Sequence, residues 1–317
     1  DHAEKQNTAA EFVVYPEFPG LEDAFSILLS SKNPTGRIAY SPTTPVGRVE
    51  KFRRFAPNAT WVMSEIVEDA RLIKFPEEIA LHREAARISD AMVESGLKLI
   101  RDAMAAGAPL PTEAELASHV TRFGVSTMYA EHEDVVVGQM LAGGLVYTGK
   151  NAAFPHGLPS AERVKPGETF ILSLGCAVGG RFAESERTFV MGEPSDEQRR
   201  YFDVAARAQA VGTDALVAGR PCSEANRICL DVIREAGMEQ FLRHRQGHGI
   251  GIWLHEPPWI ADGDDSPLQP GMIVSSEPGL YIPGHGGYRI SDTVLITENG
   301  PERLTKRPRT LQDCVIG

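Results

Sequence analysis

Apolar residues recur at helical spacing over the stretch that opens with Phe75-Pro76-Glu77-Glu78: Ile79, Ala86, Ile88, Met92, Leu97 and Ile100 form one stripe, closed by Gly107. A proline in the first turn loses no hydrogen bond there, and two acids face the positive helix end. The spacing predicts a helix over about Pro76–Ala105. Thr112-Glu113-Ala114-Glu115 is a capping box that opens a second helix. Apolar and β-branched runs predict strands at Asp134–Gln139, Thr169–Cys176, Arg187–Met191, Gly271–Ser275 and Tyr288–Thr297. Helices are predicted at Ser195–Ala218 and Ser223–Ala236, each opened by a serine with an acid in its first turn. Ahead of these lies a shorter αβ stretch: a helix around Gly20–Ser31, a strand at Gly36–Ala39, a helix at Thr44–Phe55 and a strand at Thr60–Met63. Residues 1–15 are polar and expected to fray. Long helices interleaved with long hairpins point to α+β and away from a βαβ sheet. The domain boundary falls near Lys74, giving domains 1–73 and 74–317.

Composition narrows the partners. The 317 residues are 42% hydrophobic and 24% charged, as expected of a globular chain. A net charge of -11 repels phosphate backbones, so nucleic acid is not expected as a partner. No apolar run approaches the roughly 18–20 residues that span a bilayer, so no membrane partner is expected either. Cys176, Cys222, Cys229 and Cys314 form no CxxC pair and read as reduced thiols. With no signal peptide visible after Asp1, a cytoplasmic location is expected.

Three segments carry candidate chemistry: Pro155-His156-Gly157; Gly247-His248-Gly249-Ile250-Gly251 with His255-Glu256-Pro257; and Ser276-Glu277-Pro278-Gly279. Small residues beside a histidine let backbone approach a ligand closely. His248 and His255 are seven residues apart, but the glycines between them predict strand and turn, not helix. Gly284-His285-Gly286-Gly287 lies between two strand patterns and so is not a phosphate loop. Trp253 and Trp259 flank the His255 motif and line either an apolar wall or the core. Arg243–Arg245 reads as a solvated charge run.

In the order and spacing of these motifs, residues from about Lys74 to Leu304 resemble the creatinase/prolidase/methionine aminopeptidase superfamily, which implies its pita-bread fold and makes the first 73 residues a partial N-terminal domain. Metal-dependent members bridge two divalent ions with two Asp, one His and two Glu. Carried over by position, these fall on Ser173, Glu184, His248, Glu277 and Ser291. Two carboxylates are thus serine here, and a neutral hydroxyl is a poor ligand for a hard cation. The resemblance therefore implies no two-ion centre.

The substitutions resemble creatinase, the branch that works without metal. It implies His156 as general base and acid, supported by His248 and His255, with Glu186 and Glu277 gripping a cationic substrate. Trp259 stands where creatinase has an arginine for the substrate carboxylate; Arg289 is either the replacement anchor or a structural ion pair. The resulting expectation is a metal-independent, creatinase-like hydrolase of a C–N bond in a small nitrogen-rich molecule, a homodimer, with no cofactor. The alternatives are a catalytically inactive binding module, or an Xaa-Pro-type metallopeptidase with a single ion at Glu184, His248 and Glu277.

Overall fold

The computed structural model describes residues 23–133, 135–136 and 139–317. They fall into two compact units, divided between Arg71 and Leu72. The expectation for residues 1–15 lies outside the described residues, as do Asp134, Val137 and Gly138 of the strand expected over Asp134–Gln139.

The first unit carries α1 (Ala24–Lys32), β1 (Gly36–Tyr40), α2 (Val46–Phe55), β2 (Ala59–Met63) and most of α3 (Ile66–Leu72). Asp23 caps α1 by accepting from the Phe25 amide at 2.9 Å. β1 and β2 run parallel, and Phe25, Phe52 and Trp61 pack ring to ring.

The second unit is built on one curled sheet. α4 (Pro76–Ala105) has the bounds its stripe predicts, with Glu78 accepting from the Phe75 amide at 3.0 Å. Its buried face packs on β4 (Thr169–Val178) and β5 (Arg181–Met191). At Gly96 a Cβ would meet the Leu172 and Val120 side chains at 3.1 Å, so helix, sheet and α5 (Glu113–Glu131) cross closely there. The Thr112–Glu115 capping box forms both of its bonds, at 2.7 and 3.1 Å.

Nine strands make the sheet, in the order β3 (Ala142–Thr148), β4, β5, β11 (Ser291–Thr297), β8 (Ile273–Ser276), β6 (Gly247–Gly249) and β7 (Glu256–Ile260). β12 (Gly300–Arg303) and β13 (Val315–Ile316) attach to β11 and β5. β9 (Gly279–Ile282) and β10 (Gly286–Arg289) form a separate hairpin closed by the Gly284 turn. The outer face is covered by α6 (Asp196–Asp214) and α7 (Cys222–Glu235). This is the α+β, pita-bread architecture.

Several boundaries differ from expectation for physical reasons. β5 begins at Arg181 and not Arg187, because Glu184, Ser185 and Glu186 break the apolar pattern yet are buried on both faces of the sheet. β7 contains Pro257 and Pro258, which weaken any strand signal; it is an end strand, where a missing donor is tolerated. The strand expected over Tyr288–Thr297 is two, β10 and β11, divided at Ile290. α7 is opened by Pro221 at its N-cap, while the Ser223 hydroxyl bonds Asp265 at 2.5 Å.

Side chains alternate across β5. Glu184 and Glu186 point one way; Ser185 and Arg187 point the other. Arg187 is fully buried, and its guanidinium donates to the carbonyls of Glu186, Ser291, Arg307 and Pro308 and to Asp292 Oδ1 at 2.7 Å. Asp292 also accepts from Arg303, Gln209 and Thr305. This pair fastens β5 to β11 behind the residues that face the opposite side.

Two tests follow from these contacts. Arg187→Met removes one of the two close cations on the buried Asp292 and takes the guanidinium away from four carbonyls, and should cost about 3–5 kcal/mol in urea unfolding; Arg187→Lys should not rescue it, because an ammonium lacks the planar fork. A loss under about 1 kcal/mol would contradict the fastening role. The second test uses His82, whose Nδ1 donates to Phe182 O at 2.6 Å. Burial lowers its pKa from 6.5 to about 4. Below pH 6.5 the unfolded chain takes up a proton that the folded chain refuses, so stability falls as pH drops from about 6.5 towards 4. Between pH 7 and pH 5 the wild type should lose about 2 kcal/mol more than His82→Gln. Parallel pH profiles would contradict this.

Candidate metal and substrate site

The register of the sheet lines up the site. Ser173 on β4 pairs with Glu186 on β5, and Glu186 pairs with Ser291 on β11. Glu184 lies two residues along the same face. Ser173 donates a short hydrogen bond to Glu186 Oε1, and Ser291 donates to Glu184 Oε1 at 2.9 Å. The two serines, carried over to metal-ligand positions, are therefore partners of the two glutamates.

Glu277 follows β8, and His248 sits in β6, its backbone held by the Ser275 hydroxyl at 3.0 Å. His248 Nδ1 donates to Gly249 O at 3.0 Å, which leaves Nε2 to face inward. Nε2 lies 3.1 Å from Glu277 Oε1 but off the axis of a hydrogen bond, and it has no other hydrogen-bond partner among the described residues. One donor atom each from Glu184, His248 and Glu277 lies within 4.8 Å of the other two.

The field within this cluster is strong. Burial pushes the Glu184 carboxyl up, and the neighbouring Glu277 adds to the effect. Burial also opposes charge on His248, but Glu277 and Glu184 outweigh it and raise the imidazole to about 9. Burial works against the Glu277 carboxylate as well, yet His248 holds it well below the usual range. Three such donors converging, with an imidazole nitrogen lacking an aligned partner, fit one divalent ion. They offer a second ion little: the positions that would complete its ligands, Ser173 and Ser291, carry neutral hydroxyls, poor ligands for a hard cation.

His255 stands beside His248 with ring centroids 4.1 Å apart. Burial, then the charge on His248, lower its pKa to about 4. His156 lies in the loop after β3, and that loop is pinned where Pro155 O accepts from Tyr147 and Arg289 at 3.1 Å each. His156 makes no hydrogen bond with a described residue, but it lies within electrostatic reach of His255 and His244. Trp259 is paired in register with His248 and turns its ring outward under the Arg245 guanidinium, 4.7 Å away. Arg289 is 2% exposed, with Nε 2.5 Å from Glu186 Oε2.

Sequence patterns miss four contributors. Of the run Arg243–Arg245 only Arg243 is exposed: half-buried His244 bonds Tyr281 at 2.7 Å, and Arg245 covers Trp259. Tyr281 and Tyr147 both surround Arg289. The one signal available in the sequence was the four-residue spacing of His244 and His248. All four cysteines are free and buried, and burial raises Cys176 to about 12, so no thiol serves as nucleophile.

Two expectations are corrected here. A metal-independent creatinase-like reaction needs Glu186 to grip a substrate cation, but Glu186 already holds the guanidinium of Arg289. The expectation of no cofactor is overturned by the convergence of Glu184, His248 and Glu277, and by the chain's relatives.

An Xaa-Pro dipeptidase of Pyrococcus furiosus is 33% identical over 251 residues, covering 78% of this chain and 67% of that one. One of Lactobacillus helveticus is 33% identical over 272 residues, covering 84% and 69%. Among solved structures, an Xaa-Pro dipeptidase from Bacillus anthracis superposes with a TM-score of 0.81 at 30% identity, covering 94% of this chain and 80% of that one. The prolidase from Pyrococcus furiosus gives 0.78 at 28%, covering 91% and 81%. Residues 80–298 match the model of metallopeptidase family M24, and the chain belongs to that family.

Proposed function

We propose that the protein is a metal-dependent hydrolase of a peptide C–N bond of the Xaa-Pro type, with one divalent ion held by Glu184, His248 and Glu277. The convergence of those three donors carries this reading, and relatives named Xaa-Pro dipeptidases support it. When bound, such an ion polarises a carbonyl and activates a water.

The chain's own residues supply the rest. Glu184 and Glu277 provide the negative charge that seats the cation, and His248 fixes the third direction through Nε2, its tautomer set by the bond from Nδ1 to Gly249 O. His255, held neutral by burial, keeps a ring nitrogen free to accept a proton next to the seat. Arg245, steadied on the Trp259 ring, is the cation for a dipeptide's carboxylate, because it acts electrostatically on His255 while Arg289 is engaged with Glu186. His156 bounds the pocket from the loop opposite.

Hydrolysis of a panel of Xaa-Pro dipeptides by Mn²⁺- or Zn²⁺-loaded protein tests this directly. Removing outer-shell groups at metal sites costs 10–100-fold, so Glu277→Gln and His248→Ala, which remove ligands, should lower kcat/KM by at least about 100-fold. Dialysis against a chelator should abolish activity, and added metal should restore it. Activity that survives the chelator, or wild-type rates in Glu277→Gln, would overturn the reading.

A further inference from the structure

His156 reaches the pocket without a side-chain anchor. Its ring is exposed and makes no hydrogen bond with a described residue, yet it stands within electrostatic reach of His255 and His244. An imidazole with no partner of its own is placed by its backbone alone. That backbone is the segment from Thr148, the last residue of β3, to Ser160, whose carbonyl accepts from the Ala114 amide of α5 at 3.1 Å.

Both ends of the segment close on one carboxylate. Glu113 is fully buried at the start of α5. Its Oε1 accepts from the Thr148 amide at 2.6 Å; its Oε2 accepts from the Ser160 amide at 2.7 Å and from Asn151 Nδ2 at 2.8 Å. All three donors belong to the segment that carries His156. Asn151 extends the clamp inward: its Nδ2 also donates to Leu158 O at 3.2 Å, and a Cβ on Gly157 would come within 2.8 Å of its Oδ1. The residue beside His156 is thus packed against the clamp. A glutamine could not take the place of Glu113. Both oxygens receive N–H groups, so the NH₂ of an amide would face a donor on whichever side it lay.

We propose that Glu113 is the positioning residue of His156: by gathering Thr148, Asn151 and Ser160 it sets where the imidazole stands beside the metal seat. The proposal rests on the reading of that pocket as the active site of a metal-dependent peptidase. It extends the reading to a residue that contributes no atom to the seat.

Hydrolysis of an Xaa-Pro dipeptide by the Mn²⁺-loaded full chain, measured in a double-mutant cycle, separates this from a general structural role. Glu113→Gln should lower kcat/KM about 10- to 100-fold, the cost of a misplaced group, with the Mn²⁺ affinity read by calorimetry unchanged. In a His156→Ala background the same substitution should cost less than about twofold more, because it then has nothing to misplace. Equal losses in the two backgrounds would overturn the proposal, as would wild-type rates in either single variant or a Mn²⁺ affinity that falls in step with the rate. Circular dichroism shows whether Glu113→Gln folds. If it does not, Asn151→Ala, which removes one of the three donors, takes its place in the cycle, and the same outcomes decide. A wild type that cleaves no Xaa-Pro dipeptide would sink the functional reading, and hydrogen exchange then decides the positioning by itself. Peptides spanning residues 149–161 should exchange about tenfold faster in Glu113→Gln, while β4 and β5 keep their protection. Unchanged exchange over 149–161 would overturn the clamp.

Discussion

Everything in the pocket answers to one constraint: three carboxylates, two of them buried and one partly so, sit together, and their charge must be met from within the molecule or by what binds. Arg289 meets part of it through Glu186. Ser173 donates to the other Glu186 oxygen and Ser291 to one oxygen of Glu184. What is left, Glu184 and Glu277 facing His248, is the seat proposed for a cation. The raised pKa values of Glu184 and His248 express the same imbalance: burial and the charge of Glu277 raise Glu184, while Glu277 and Glu184 raise His248 against the effect of burial.

The scaffold that enforces this is the alternation of β5. A strand with Glu184 and Glu186 on one face must place Ser185 and Arg187 on the other. The molecule uses that second face to fasten itself, Arg187 to Asp292 and Ser185 to Asp90. Site and fastening are therefore two sides of one strand, and the helix α4 behind them keeps water out. A change in register by one residue would exchange the two sets and lose both.

Much of this was legible in the sequence, and the failures are informative. The stripe from Ile79 to Ile100 fixed α4 because a long amphipathic helix is the strongest periodic signal a chain carries. The order of the His and Glu motifs fixed the fold through resemblance. The first half of β5 carries no strand signal because its buried glutamates, Glu184 and Glu186, read like loop residues. A charge run hides the half-buried His244. The creatinase-like inference failed for a related reason. Glu186 matched a position that holds a guanidinium, but only the three-dimensional structure shows that the guanidinium belongs to Arg289 of the same chain.

The most direct test is a crystal structure grown with Mn²⁺ and read by anomalous scattering. The account predicts one peak, between Glu184, His248 and Glu277, with Arg289 still on Glu186. A second peak beside Ser173, or an empty seat at saturating metal, would contradict it.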